Sequence, residues 1–331
     1  MITNVIAVDA GYGLTKAYNG NKKAVVFKSI IGQPEQITFK LDDDIFNHHP
    51  QNNNGTINID GIGSYFVGDN AILQSGLNWS IRDRNRSHDD IKILALAAMS
   101  QLGINGNVSL MTGIPVKWYT QQKQQLTESL LGQYTVNGQK INITDCKIIV
   151  QPIGSYFSIL FGNNGTIARP EFINKKIGII DIGMYTTDII VMDGATFIEV
   201  RSDSTTVAMS KLYELTKNAI ERKYDLTLNL TSVEKAIKNN FVTIQGHKYG
   251  LDDITQPILN TLKKTILGYI SNVWADYHKQ LDYIFLSGGG ASTLAPYLKD
   301  HFPQLEQISD SHIANVLGYY RYNCFLHNRG K

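Results

Sequence analysis

The stretch VIAVDAGYGLTKAY, at residues 5–18, has a counterpart in IGIIDIGMYTTDIIV, at residues 177–191. One offset aligns three pairs of residues: Asp9 with Asp181, Gly11 with Gly183, and Thr15 with Thr187. In each copy an apolar strand leads into Asp-x-Gly, a short turn and another strand. A single Asp-x-Gly is a common structural turn, but two in the same hairpin context, a domain apart, predict a duplicated unit.

The residue types in the two turns suit phosphate chemistry. Glycines allow close approach of the backbone to a ligand, and consecutive N–H groups in such a turn form a concavity that binds anions. An aspartate at the end of the preceding strand can hold a hydrated Mg²⁺ that bridges phosphate oxygens. Lys16 adds a positive charge for the transferred phosphate, whereas its counterpart in the second copy is Asp188. The two copies therefore have different roles.

A third glycine-rich element, YIFLSGGGASTLAPYL, occupies residues 283–298. It predicts a buried strand, a Gly288–Gly290 turn and a helix that begins near Ser292. It lacks the Lys and Ser/Thr of a Walker A loop and the G-x-G-x-x-G of a dinucleotide site. Close approach of the backbone to a flat nucleoside is the preferred interpretation, and a simple strand-to-helix turn stays open.

The order of these elements resembles that of the actin, sugar kinase and 70-kDa heat-shock chaperone superfamily over nearly the whole chain. DAGYGLTK is similar to its first phosphate loop, DIGMYTTD to its second and LSGGGAST to its adenosine motif. The two connecting helices of the superfamily resemble QPIGSYFSILFG at 151–162 and IANVLGYY at 313–320. Within the superfamily, the chain is most similar to the ParM and StbA plasmid-partition actins and their archaeal actin-like relatives, on the basis of its short length, the GYGxTK variant and TGIPVKWY.

The resemblance implies an α/β fold with two RNase H-like domains and a nucleotide cleft between them. Domain I is expected at 1–160 plus 314–331, with a peripheral subdomain at about 30–100. Domain II is expected at 161–313.

The resemblance also implies roles for individual residues. Asp9 and Asp181 would hold Mg²⁺ through water, and Lys16 would contact the terminal phosphates. The phosphates would be cradled by the backbone of Gly11, Tyr12, Gly13, Gly183, Met184 and Tyr185, with hydroxyl contacts from Thr186 and Thr187. The nucleoside would contact Gly288, Gly289, Gly290 and Ala291.

Gln151 falls where the family places its water-orienting residue, so the catalytic set would be Gln151, Asp181 and Asp9. An amide is not a strong base, and its role would be to position water for in-line attack. A capped helix start before Pro152 is the alternative. Glu234 and Lys238 lie where relatives bind ribose and adenine, although an ordinary exposed ion pair explains them equally well.

The function expected from the resemblance is an ATPase that binds Mg-ATP, with GTP left open, and assembles into dynamic filaments. Plasmid or DNA segregation, or another cytoskeletal task, would be its purpose, with itself and a DNA-binding adaptor protein as partners. A non-filamentous ATP-dependent switch and a small-molecule kinase are the alternatives. A kinase typically has a longer chain with more inserted loops, and a chaperone needs a substrate-binding domain beyond the ATPase. A non-catalytic scaffold tends to lose the phosphate-loop carboxylates.

Composition limits the remaining classes. The 331 residues are 43% hydrophobic with a net charge of +2, which is too balanced to hold nucleic acid by bulk phosphate neutralisation. Cys146 and Cys324 form no CxxC pair, and no apolar run reaches the roughly 18 residues of a membrane span. The first residues lack a signal-peptide pattern. A soluble cytoplasmic protein that contacts neither membrane nor nucleic acid directly is expected.

Several local patterns predict further elements. Ser87 and the following aspartates indicate a capped, largely buried helix to about Leu102, and Val108–Met111 a core strand that Gly113 and Pro115 interrupt. Apolar residues at three- and four-residue spacing from Ile254 to Leu281 predict one long amphipathic helix. Residues 42–56, including His48 and His49, indicate a solvated loop. A basic cluster, Arg82, Arg84 and Arg86, suggests a filament contact or a solvated surface.

Overall fold

The chain contains both strands and helices in a computed structural model that describes residues 3–21, 23–34, 56–80, 85 and 87–329. The strands are β1 (Asn4–Ala10), β2 (Leu14–Tyr18), β3 (Val25–Lys28), β4 (Ile30–Gly32), β5 (Thr56–Ile59), β6 (Gly63–Val67), β7 (Asn78–Ser80), β8 (Gly106–Ile114), β9 (Gly132–Val136), β10 (Gln139–Val150), β11 (Lys176–Ile182), β12 (Thr187–Asp193), β13 (Thr196–Phe197), β14 (Asp203–Thr205), β15 (Phe241–Ile244), β16 (His247–Gly250), β17 (Tyr283–Ser287) and β18 (Leu305–Gln307). The α-helices are α1 (Asp69–Gln74), α2 (His88–Gln101), α3 (Tyr119–Leu130), α4 (Ile153–Leu160), α5 (Met209–Tyr224), α6 (Leu230–Asn239), α7 (Asp252–Trp274), α8 (Ala291–Lys299) and α9 (Ala314–Arg329). The predicted α/β class is confirmed.

The chain divides into two compact units. Unit 1 consists of Met1–Arg169 and Ile313–Lys331, and unit 2 of Pro170–His312. The segment 161–169, expected in the second domain, belongs to unit 1. Its backbone folds back onto the end of α4, where the N–H of Ala168 donates to the carbonyl of Leu160 at 2.9 Å.

The two units contain sheets of the same order. In unit 1 the strands run β3-β2-β1-β8-β10, extended by β9-β5-β6-β4-β7, and in unit 2 they run β13-β12-β11-β17-β18. In each sheet the central strand, β1 or β11, pairs antiparallel with the next strand in sequence and parallel with a distant one. The duplication predicted from the two sequence stretches is therefore present in the topology.

Helix α2 belongs to the main core of unit 1. Ile91, Leu94 and Met99 are buried in the same cluster as Ile6 and Val8 of β1. The same cluster also includes Ile31, Ile57 and Val67, from β4, β5 and β6, so the boundary of the expected peripheral subdomain, at about 30–100, stays a prediction. Its strands, β4 to β7, extend the main sheet beyond β9.

The start of α2 differs from the prediction in its chemistry. Ser87 is the N-cap residue, but its side chain makes no capping hydrogen bond. Asp90 in the first turn is buried and accepts a hydrogen bond of 3.1 Å from the indole of Trp79. A tertiary contact thus accompanies the helix-dipole effect that the acidic first turn indicates.

Gly113 does not interrupt β8 as predicted. The strand continues through it to Ile114 and pairs with β10 throughout. A Cβ at Gly113 would collide with the hydroxyl of Tyr319 on α9. The glycine accommodates a buried ring from a distant helix, a cause that local sequence does not reveal.

The long amphipathic helix ends earlier than predicted. Helix α7 stops at Trp274, and a 3-10 turn from Ala275 to Gln280 follows, so the prediction that one helix reaches Leu281 is wrong. Ala275 has a φ of 44°, which is incompatible with continuing a right-handed helix. Leu281 still packs in the unit 2 core, now as the residue before β17.

Helices α4 and α9 cross at two glycines within unit 1. A Cβ at Gly318 would collide with the carbonyl oxygen of Gly154, so the backbones approach as closely as glycine permits. Asn315 is buried beside this crossing and accepts hydrogen bonds from the backbone N–H of Ser155 at 3.0 Å and its hydroxyl at 2.7 Å.

Two sequence predictions fall mainly outside the described residues. These are the solvated loop at 42–56 with His48 and His49, of which only Thr56 is described, at the start of β5, and the cluster of Arg82, Arg84 and Arg86. Within the described part of the chain, the helices are too short or too polar to cross a membrane.

Candidate functional site

The first candidate loop closes the β1–β2 hairpin of unit 1. The N–H of Gly11 donates to the carbonyl of Leu14 at 3.1 Å, which makes a tight turn. The hydroxyl of Ser29 donates to the carbonyl of Gly11 at 2.6 Å and lies 2.9 Å from that of Thr15. Ser29 and Thr15 are fully buried. The Ser29 hydroxyl therefore fixes the turn at Gly11 and is itself positioned by its hydrogen bond with the Thr15 hydroxyl.

Asp9 is the centre of a polar cluster in unit 1. Its side chain is fully buried, and each carboxylate oxygen has a donor. Nζ of Lys16 lies 3.2 Å from Oδ2, and Nε2 of Gln151 lies 3.0 Å from Oδ1. Lys16 is the residue directly opposite Asp9 in the β1–β2 register. The structure thus brings together three of the residues that the sequence singled out.

The backbone around Gln151 fixes the position of its side chain. Its N–H donates to the carbonyl of Ile114 at 2.8 Å, and its carbonyl accepts from the hydroxyl of Tyr319 at 3.0 Å. The N-cap of α4 is Pro152, and no side chain caps that helix. The amide of Gln151 points to Asp9 instead, which disfavours the alternative of a capped helix start.

The second candidate loop, in unit 2, repeats the geometry of the first. The N–H of Gly183 donates to the carbonyl of Thr186 at 2.9 Å, the same turn bond that Gly11 makes. Asp181 is buried, and the residue opposite it in the β11–β12 register is Asp188. Thr187 differs from expectation, because its fully buried hydroxyl donates to the carbonyl of Val207 at 2.8 Å. That bond engages the hydroxyl within unit 2, and the contact of Thr187 with nucleotide stays a prediction.

The glycine-rich turn after β17 packs directly on the second loop. Gly288 has a φ of +86°, and a Cβ there would collide with the carbonyl of Ile182 and a carboxylate oxygen of Asp181. A Cβ at Gly290 would meet the side chains of Ile182 and Met209. Gly289 has open space and is exposed. Packing within unit 2 therefore accounts for Gly288 and Gly290, and Gly289 is the glycine best placed to meet a ligand.

The other predicted contact residues occupy different environments. Gly13 accepts a hydrogen bond from the N–H of Ser29, whereas Ala291 is fully buried at the start of α8. Four residues are half-buried: Tyr12, Met184, Tyr185 and Thr186. Glu234 and Lys238 are exposed on α6, and no salt bridge joins these two described side chains. Burial, with the charge of Glu234 as a second cause, raises the pKa of Tyr213 to about 12.

The sequence motifs did not indicate two serines that contact the candidate site residues. Ser29 supports the first loop, and Ser204, on β14, donates to Oδ1 of Asp188. Each is distant in sequence from the motif that it supports, and serine is common in loops. No sequence signal distinguishes these two residues.

The carboxylates suit a hydrated cation better than a protein-enclosed one. Among the described residues, no group of three or more His, Cys, Asp or Glu side chains converges on one point. Mg²⁺ commonly keeps several waters and uses one or two protein carboxylates together with phosphate oxygens. Asp9 and Asp181 each fit such an arrangement, since both lie buried at the end of a strand beside a turn that can bind an anion.

Two family models match successive parts of the chain. The model described as the N-terminal domain of actin-like proteins matches residues 7–154, and that of the archaeal actin homologue MreB-like C-terminal domain matches 179–300. The chain is a member of the actin-like protein family. The resemblance inferred from the motifs is thus confirmed. No curated protein matches the chain.

Solved structures share the fold of this actin-like protein. A ParM from Clostridium botulinum, solved as a 15-stranded filament, is 24% identical with a TM-score of 0.82, over 98% of this chain and 99% of that one. Ta0583, an archaeal actin homologue, is 21% identical with a TM-score of 0.78, over 96% and 98%. The structure of Ta0583 in complex with ADP is 19% identical with a TM-score of 0.75, over 96% of this chain and 98% of that one. The predicted actin-like fold is confirmed.

Proposed function

We propose that this actin-like protein binds Mg-ATP through the turns of both hairpins, hydrolyses it and assembles into filaments. The observation that carries the proposal is the repeated hairpin, in which a buried aspartate precedes a glycine turn closed by the same hydrogen bond in both units. Turns of this kind bind anions through their N–H groups. The ADP complex of Ta0583 supports nucleotide as the ligand.

Different groups of unit 1 would contact different parts of the triphosphate. Lys16 would present its ammonium group to the terminal phosphates, while the N–H groups after Asp9 would cradle them. When bound, Mg²⁺ supplies positive charge that offsets the phosphate oxygens. Asp9 and Asp181 would orient the water molecules of its hydration shell.

Gln151 would orient the attacking water. Because Nε2 donates to Asp9, the amide is fixed with Oε1 available to accept a hydrogen bond from a water molecule. An amide does not remove the proton, so its contribution is geometric. Fixing one water in line with the scissile bond is a role in hydrolysis and adds little to nucleotide affinity.

Equilibrium binding and phosphate release test the ATPase part of the proposal. Titration with a fluorescent, non-hydrolysable ATP analogue in the presence of Mg²⁺ should show saturable binding, and ATP should yield phosphate at a steady rate. A titration with the GTP analogue determines the base preference. Lack of binding to either analogue would refute the proposal.

Assembly is tested separately. The ParM filament supports self-association as a property of relatives with this fold. Light scattering should rise on addition of Mg-ATP and decay as nucleotide is hydrolysed, and sedimented material should contain filaments by electron microscopy. A protein that binds ATP yet stays monomeric at tens of micromolar would favour the non-filamentous switch. Plasmid segregation, a DNA-binding adaptor and a cytoplasmic location stay predictions.

A further inference from the structure

We propose that Asp188 is a positioning residue that makes nucleotide binding at Asp181 dependent on a divalent cation. The proposal rests on the proposed function, since it concerns the same nucleotide site. It gives Asp188 a role different from that of Lys16, the residue at the corresponding position of the first hairpin.

The two hairpins share their register but differ in charge. In unit 1 the residue opposite Asp9 is Lys16, and their side chains form an ion pair at 3.2 Å. In unit 2 the residue opposite Asp181 is Asp188. Directly opposed residues of an antiparallel pair have Cβ atoms about 4.5–5.5 Å apart on one face of the sheet. The cross-strand neighbour therefore offsets the charge of Asp9 and adds to that of Asp181.

Burial makes the added charge effective. Asp181 is 6% exposed and Asp188 is 3% exposed, so water screens their interaction poorly. Asp188 is also held in place, because the hydroxyl of Ser204 donates to its Oδ1.

Tyr269, on α7, lies within the electrostatic influence of two carboxylates of this region. Burial raises the pKa of its hydroxyl, and the carboxylates of Asp203 and Asp188 raise it further. Two like charges on adjacent strands would ordinarily destabilise the sheet. Their presence beside an anion-binding turn makes functional sense if a cation joins them when the triphosphate binds.

This arrangement predicts opposite effects with and without Mg²⁺. Without the cation, Asp188 repels the triphosphate and weakens binding. With it, the second carboxylate attracts the hydrated ion and strengthens the complex. A merely structural role would give the same sign in both conditions, since a disturbed loop binds nucleotide less well whatever the cation.

The test measures the affinity of a fluorescent, non-hydrolysable ATP analogue over a range of free Mg²⁺, in the wild type and Asp188→Asn. The variant should bind more tightly than wild type in EDTA and need about tenfold more Mg²⁺ for half-maximal enhancement of binding. Ser204→Ala should also raise the affinity in EDTA and the Mg²⁺ concentration for half-maximal enhancement, but by less than Asp188→Asn does. Asp193→Asn, an exposed position at the other end of β12, is the matched control and should match wild type.

The outcomes separate the two proposals. If wild type does not bind the analogue, the proposed function fails. If wild type binds it with a Mg²⁺ requirement that Asp188→Asn leaves unchanged, or if the variant is weaker in both conditions, the role of Asp188 is refuted while the proposed function stands. Thermal unfolding of each variant shows whether the fold is retained.

Discussion

The side-chain amide of Gln151 donates a hydrogen bond of 3.0 Å to Oδ1 of Asp9, across 142 residues of sequence. The bond joins the end of the first strand to the residue before the N-cap of α4, so a proposed metal-site carboxylate and a proposed water-orienting amide position one another. Its length is that of an ordinary N–H···O hydrogen bond.

Replacing Gln151 with alanine should slow ATP hydrolysis by about 10²- to 10³-fold, because the attacking water loses its orienting group. Affinity for the non-hydrolysable analogue should change little. Phosphate release under single-turnover conditions measures the first quantity, and fluorescence titration the second. Gln133→Ala, at an exposed position on β9, is the control. A variant that no longer binds nucleotide would make Gln151 a structural residue.

Asp181→Ala should abolish measurable hydrolysis and strongly reduce the effect of Mg²⁺ on nucleotide binding, because a carboxylate that orients the hydrated ion is lost. Isothermal titration with ADP, with and without Mg²⁺, provides the measurement. Asp193→Ala, on the neighbouring strand and exposed, should behave as wild type. Full ATPase activity in Asp181→Ala would overturn the assignment of the site.

Gly318→Ala should destabilise unit 1 by about 2–3 kcal/mol or more, since its Cβ has no room against the carbonyl of Gly154. For a cooperative unit of the size of unit 1, the melting temperature should fall by roughly 5–10 °C. Gly268→Ala, on the exposed face of α7 with nothing near the new Cβ, should instead stabilise by about 0.5–1 kcal/mol. Equal effects of the two substitutions would contradict the close helix crossing.

Cys146 should resist alkylation in the folded protein. Burial, with the neighbouring charge of Asp145, raises the pKa of its thiol to about 12, so the reactive thiolate is scarce at pH 8. Labelling by iodoacetamide should be at least about 10³-fold slower than in urea, as followed by mass spectrometry of the peptide. Burial raises the pKa of Cys324 as well, so it should also be protected. Rapid labelling of native Cys146 would disprove its predicted environment.

The features that the sequence predicted best are local ones. Both hairpins follow from a buried strand, a glycine turn and a second strand within about fifteen residues, and the topology then repeats around them. What it could not predict depends on distant contacts. Gly113 is explained by Tyr319, and the amide of Gln151 is directed by Asp9. Neither partner is a neighbour in sequence.

The glycine-rich turn shows how one pattern permits two explanations. Its three consecutive glycines predict close approach of the backbone to a nucleoside, whereas in the structure a Cβ at Gly288 would collide with the carbonyl of Ile182. Sequence identifies where a side chain cannot fit, whereas only the fold identifies what excludes it. The distinction leaves Gly289 as the position at which substitution should affect the ligand more than the fold.

Trp274 gives this protein a built-in optical probe. Its indole is fully buried against Gly178 and donates a hydrogen bond of 3.0 Å to the carbonyl of Arg201. The other two tryptophans of the sequence, Trp79 and Trp118, belong to unit 1. With both replaced by phenylalanine, the remaining tryptophan emission comes from unit 2 alone, and its red shift in denaturant follows the unfolding of that unit without a label.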